Sequence, residues 1–229
     1  MTPGNTAPGN SAPEDATSEA PPTERMVALS DGVVAIALTL LVLQIEVPAS
    51  SLLHPPDSAS QLAGKLAGSS GEWISYGISF YVIAQFWLMH HRVFRQIAVQ
   101  RDGLARWNFA FLFTITVMPF TSNLLGQFSG NPLAVDIFAL NLLLANLATR
   151  AMLEFGRRHR LLKAGDRDDS LSRLNTVIAV AVILLSIVVA WFNPTLAKFC
   201  WLLFAVSPQA AEAIMRFRGR RAGGHSRVR

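Results

Sequence analysis

The feature that most constrains this chain is a series of apolar tracts, each about as long as a bilayer is thick, with the charges gathered between them. A helix needs about 20 mostly apolar residues to cross the hydrocarbon. Lipid offers the backbone no hydrogen-bonding partner, so such tracts fold as helices. Six tracts pass this test, some with a qualification. Met26–Val47 holds only Asp31 and Glu46 as charges, one near each end. Trp73–Met89 and Trp107–Phe128 hold none, and Pro119 in the latter can kink a membrane helix without ending it. Leu133–Ala148 has Asp136 close to its start, and Leu174–Phe192 is charge-free and made mostly of Ile, Val, Leu and Ala. Leu196–Met215 is the weakest tract; its Lys198 and Glu212 lie near the ends, where side chains reach the interface. The chain is 51% hydrophobic and 15% charged, a membrane composition. The expected fold is an all-α membrane protein with six transmembrane helices.

The flanks differ from the spans. Residues 1–22 are rich in Pro, Ala, Ser, Thr and Gly and cannot bury enough apolar surface to order themselves, so a disordered cytoplasmic tail is expected there. That segment lacks the basic start and apolar core of a signal peptide. The membrane domain is expected over residues 23–217, followed by a basic cytoplasmic tail, residues 218–229. A single cysteine, Cys200, in the last apolar tract supplies neither a disulfide framework nor a cysteine metal site, which leaves it a packing role.

Orientation follows from the basic residues, because positively charged loops stay on the cytoplasmic side. Of the 20 Lys and Arg, 18 fall before the first tract, between the second and third, between the fourth and fifth, or after the sixth. Lys65 and Lys198 alone fall on the other side. Both termini are therefore expected in the cytoplasm of a plasma-membrane protein. The high pI is explained by this topology rather than by nucleic acid, and the tail segment Arg216–Arg221 suits an anionic lipid surface.

The first tract also carries polar groups inside its first turns, Ser30 and Asp31, which lipid penalises unless they are partnered. A second helix returning antiparallel brings its end level with them, and that end carries Trp87, His90 and His91. A network of Arg25, Ser30, Asp31, Trp87 and one histidine would satisfy the acid and lock the two helices together. The alternative is that Ser30 and Asp31 cap a helix that starts later. The adjacent histidines point in different directions on a helix and have no cysteine nearby, so no metal site is expected. At about 100° per residue, Leu29, Gly32, Ile36, Thr39, Leu40, Leu43 and Val47 form one stripe, with Asp31 on the far side. By periodicity alone the stripe suits a packing face as well as a pore wall.

The segment RMVALSDGVVAIALTLLVLQIEVP, Arg25–Pro48, resembles the opening helix of the transmembrane protein 175 family of potassium channels. Arg25, Ser30 and Asp31 fit that family's pattern, and Leu29 replaces its usual phenylalanine. The segment WLMHHRVF, Trp87–Phe94, is similar to the family's Trp-x-x-His-His-x-x-Phe motif, and the third tract adds Pro119-Phe120. The resemblance implies a homotetramer in which the first helices line one central pore, with Ile36 as the narrowest apolar ring and Leu40 and Leu43 as further rings. It places Thr39 hydroxyls near the ion path, and it implies that Arg25, Asp31 and the His90/His91 region tie the first two helices together and bear on gating. Potassium is the implied permeant ion, with modest selectivity, since a tight apolar ring favours the ion that dehydrates more cheaply. Glu46 would concentrate cations at the pore mouth, or serve as an ordinary interfacial carboxylate. No cofactor is implied, and the expected partners are copies of the chain, lipids and potassium.

Two rivals are weighed against this. A secondary transporter or proton-coupled exchanger needs a midplane site with ionisable groups, whereas Asp31 and Asp136 lie near the ends of their spans. A membrane enzyme needs a nucleophile, a base and an orienting group, and the sequence offers no such set and no phosphate-cradling glycine loop.

Overall fold

The computed structural model describes residues 22–47, 58–99, 101–163 and 170–205. The two tails, the exit proline Pro48 and the last part of the sixth tract lie outside the described residues. Seven helices follow in order: α1 Pro22–Val42, α2 Ser58–Gly68, α3 Ser70–Gln96, α4 Asp102–Gln127, α5 Pro132–Arg158, α6 Ser170–Ala190 and α7 Pro194–Cys200. A 3₁₀ turn, Trp201–Ala205, follows α7. Among the described residues, four helices are long and apolar enough to cross a membrane: Thr23–Val42, Asp102–Gln127, Pro132–Arg158 and Arg173–Ala190. At 27 residues α3 has the length, but serines, the His90–His91 pair and charges at both ends make it less apolar than these four.

Local sequence sets the helix starts. Asn131 and Asn193 each precede a proline, and each accepts with its side-chain oxygen from a first-turn amide, Leu133 N at 2.9 Å and Leu196 N at 3.0 Å. Proline gives up an amide that the first turn leaves unpaired anyway, and asparagine satisfies a neighbour. Pro119 sits inside α4, which runs through it unbroken. Helix α1 is shorter than its tract. It ends at Val42 and passes through tight turns, Gln44 N to Leu41 O and Ile45 N to Val42 O, which leave Val47 beyond the helix.

The core forms where α3, α4 and α5 meet, around Val82, Ile83, Phe111, Ile115, Met118, Phe138 and Leu142, all with essentially no exposed surface. Several buried polar groups bond internally, as lipid favours, although Ser75 Oγ, Ser79 Oγ and Asn146 Oδ1 find no partner among the described residues. Asn141 Nδ2 donates to Thr114 O at 3.1 Å, and the hydroxyls of Thr114, Thr121, Thr149 and Ser186 donate to carbonyls one turn back. After α6 the chain turns and Trp201 enters the core. Its ring lies 4.6 Å from that of Phe138, and its Nε1 donates to Ser186 Oγ at 3.0 Å.

Besides the early end of α1, the described part of the sixth tract is not one helix, since α7 stops at Cys200 and a 3₁₀ turn follows, and two more observations depart from the sequence reading. The segment between the first two tracts contains α2, whose helical order the apolar-run criterion passes over because it is short and mixed in polarity. Lys198 is buried within the chain rather than extended outward. It is 3% exposed, and its Nζ donates to Leu125 O at 3.1 Å, placing a cation on a carbonyl in the last turn of α4. That is the end of a helix where positive charge is favoured.

Candidate functional site

Helix α1 packs on one side only. Met26, Ser30, Val34, Ala37 and Leu41, spaced by three or four residues, are buried against α3 and α4. The opposite stripe is open: Leu29 is 47% exposed, Ile36 60%, Leu40 41% and Leu43 73%, with Gly32 and Thr39 exposed beside them. Apolar side chains left uncovered on a whole helix edge need lipid or another chain against them. Thr39 donates its hydroxyl proton to Ile36 O at 2.8 Å, so its oxygen lone pairs are what it presents outward.

At the inner end of α1 the polar residues form two groups. In the first, His90 Nε2 meets Asn108 Oδ1 at 2.8 Å, Asn108 Nδ2 donates to Ser30 Oγ at 3.0 Å, and Ser30 Oγ donates to Met26 O at 2.8 Å. With the proton on Nε2 of His90, each donor points at an acceptor, and the chain joins α3, α4 and α1. Ser30, His90 and Asn108 are at most 1% exposed. The His90 ring stacks on Phe111 at 4.9 Å and lies 4.5 Å from Phe94. In the second group, Trp87 Nε1 donates to Asp31 Oδ1 at 2.8 Å, and His91 Nε2 lies 3.6 Å from the same oxygen. The Trp87 and His91 rings are 4.4 Å apart. This pair is half-buried and faces a crevice, whereas the first group faces the core.

The outer end is held differently. Glu46 N donates to Glu72 Oε2 at 3.1 Å, and Asn123 Nδ2 donates to Gln44 O at 3.3 Å. Here the backbone after α1 is bound, while the Glu46 side chain is exposed. Behind it α3 and α4 approach closely. A Cβ on Gly126 would stand 3.1 Å from Glu72 Cα, and one on Gly71 would stand 3.2 Å from Gly126 O.

Asn108, Glu72 and Asn123 escaped the sequence reading. Asn108 had a signal, an amide inside a charge-free span, which lipid tolerates only when it is partnered. Glu72 had none beyond its place before Trp73. Among the described residues no three His, Cys, Asp or Glu gather as a metal-binding group.

These features define an all-helical membrane protein whose first helix is anchored along one edge and open along the other. Residues 25–119 match the family described as "Endosomal/lysosomal potassium channel TMEM175". The chain is 35% identical over 112 residues to a potassium channel of Chamaesiphon minutus, covering 49% of this chain and 53% of that one. It is 27% identical over 157 residues to the endosomal/lysosomal proton channel TMEM175 of Gallus gallus, covering 69% and 30%. The chain thus spans about half the length of the first relative and less of the second. The fold is that of the crystal structure of a lysosomal potassium-selective channel TMEM175 homolog from Chamaesiphon minutus, with a TM-score of 0.68 at 24% identity over 82% of this chain and 97% of that one. The resemblance drawn from the Arg25–Pro48 and Trp87–Phe94 motifs is thereby shown, and the matched family is one of ion channels rather than an enzyme class.

Proposed function

We propose that the protein is a passive cation channel of the cell membrane, modestly selective for potassium. On this reading four copies assemble with α1 at the centre, each subunit crosses six times, and both ends are cytoplasmic. The carrying observation is the open edge of α1. Ile36, Leu40 and Leu43 are uncovered within the subunit, and the opposite edge is locked by buried hydrogen bonds. Four such edges facing one axis form apolar rings that exclude water when narrow. Ile36 is the narrowest ring on this reading, Thr39 adds outward oxygens beside it, and Glu46 stands at the mouth. Arg25, Ser30, Asp31, Trp87, His90 and His91 tie α1 to its scaffold and bear on gating from outside the ion path.

Bilayer recording of the purified protein under a potassium/sodium gradient tests this. A reversal potential displaced toward potassium is expected, and Ile36→Asn and Ile36→Ala should each raise cation leak. Zero current, or a conductance and selectivity unchanged in both variants, would remove Ile36 and the α1 pore. The same recording with a pH gradient separates a proton-coupled exchanger, whose potassium flux would be strictly tied to proton flux.

A further inference from the structure

The inner end of α1 borders a crevice of about 560 Å3 that the channel reading leaves without a role. One wall is the start of α1, another the end of α3, and the third is Lys163, after α5. The second and third walls are fixed to each other. Ala98 N donates to Leu161 O at 2.7 Å and Lys163 N to Gln96 O at 2.9 Å, a backbone bridge that seats Lys163 beside the end of α3. The lining is apolar at Val27, Phe94 and Ile97 and charged at Glu24, Arg95 and Lys163. The Asp31 carboxylate is already engaged by Trp87 and His91. Arg95, Lys163 and Glu24, by contrast, make no side-chain hydrogen bond or ion pair with another described residue.

Two cations and one carboxylate that have no partner among the described residues, set over an apolar floor, suit a ligand carrying a phosphate, an amine able to donate hydrogen bonds, and hydrocarbon. Arg95 and Lys163 match the phosphate as charge-assisted donors. Glu24 accepts from a primary ammonium, which a quaternary choline cannot replace as a donor. The crevice lies level with the ends of the spans, where headgroups sit. We propose that it is a binding site for the headgroup of a phosphatidylethanolamine. The site rests on the membrane reading and the topology but not on potassium conduction, so its failure and that of the channel reading are separable.

Native mass spectrometry of the delipidated full chain, offered phosphatidylethanolamine, phosphatidylglycerol or phosphatidylcholine with matched acyl chains, tests it without measuring current. Phosphatidylethanolamine should be retained in preference to the other two. The double variant R95A/K163A should lose that retention by about tenfold or more, as expected for two charge-assisted hydrogen bonds. Glu24→Gln should still hold phosphatidylglycerol but lose the preference for the amine, and Arg101→Ala, on the same side but outside the crevice, should behave as the parent. Unfolding temperatures in phosphatidylcholine micelles show whether each variant is folded. Equal retention of all three lipids, retention unchanged in R95A/K163A, or an amine preference that survives in Glu24→Gln would overturn the assignment. Displacement of the lipid by micromolar free phosphoethanolamine would reassign the site to a soluble zwitterion and overturn it as a lipid site.

Discussion

The two ends of α1 are held to the same scaffold by different physics. At the inner end, side chain meets side chain in a dry interior, where His90, Asn108 and Ser30 are hydrogen-bonded in series with at most 1% exposure. At the outer end, side chains from α3 and α4 grasp backbone past the end of the helix, in partly exposed surroundings, over a close approach of two backbones. Hydrogen bonds in water are nearly exchanged one for one, whereas a buried group that loses its partner keeps the whole desolvation penalty. The inner end is therefore stiff because it has no alternative, and the outer end can let go at little cost.

Substitutions at the two ends test this contrast. The largest effect is expected for Asn108→Ala, which empties a buried site, leaves His90 Nε2 without its partner at about 1–3 kcal/mol, and leaves Ser30 only its bond to Met26 O. Thermal unfolding in detergent should drop strongly, and a shift within experimental error would mean that the inner chain of bonds does not hold α1. Gly126→Ala comes next, since its Cβ would press on the Glu72 backbone. About 1–3 kcal/mol is expected from overpacking, and a neutral outcome would show that the α3–α4 approach has slack. Asp31→Ala removes the half-buried acceptor of Trp87 and should cost about 1 kcal/mol, with reduced oligomer yield or altered open probability. Unchanged yield and opening would detach Asp31 from both. The smallest effect belongs to Glu72→Ala, at under about 1 kcal/mol for an exposed hydrogen bond. Glu72→Gln keeps an acceptor and should restore what little is lost. If Glu72→Ala rivals Asn108→Ala in unfolding temperature, the contrast between the ends is gone.

The inner end was the more legible in sequence for the same physical reason. An acid, a serine and two histidines inside apolar tracts demand partners, so Ser30, Asp31, Trp87, His90 and His91 draw attention without a structure. What the residues did not reveal is that they sort into two groups, because the divider, Asn108, arrives on α4 from a long way along the chain. The outer contacts were hidden, since Gln44 and Glu46 are bound through backbone atoms that every residue has. The long, strongly apolar helices were read well from run length. Helix α2, the polar ends of α3 and the burial of Lys198 were not, because run length weighs composition and takes no account of the helix end against which a cation can settle.

The uncovered stripe of α1 also bears on the order of events in biosynthesis. A subunit can close its own hydrogen bonds among α1, α3 and α4 as soon as those segments have been inserted, with no other copy present. On the proposed reading, covering Ile36, Leu40 and Leu43 with protein is a later encounter between finished chains, and its extent depends on how many copies share the bilayer. On the proposed reading maturation is therefore dose-dependent. Sparse expression would leave well-folded but silent single subunits, and conductance would rise more steeply than protein abundance.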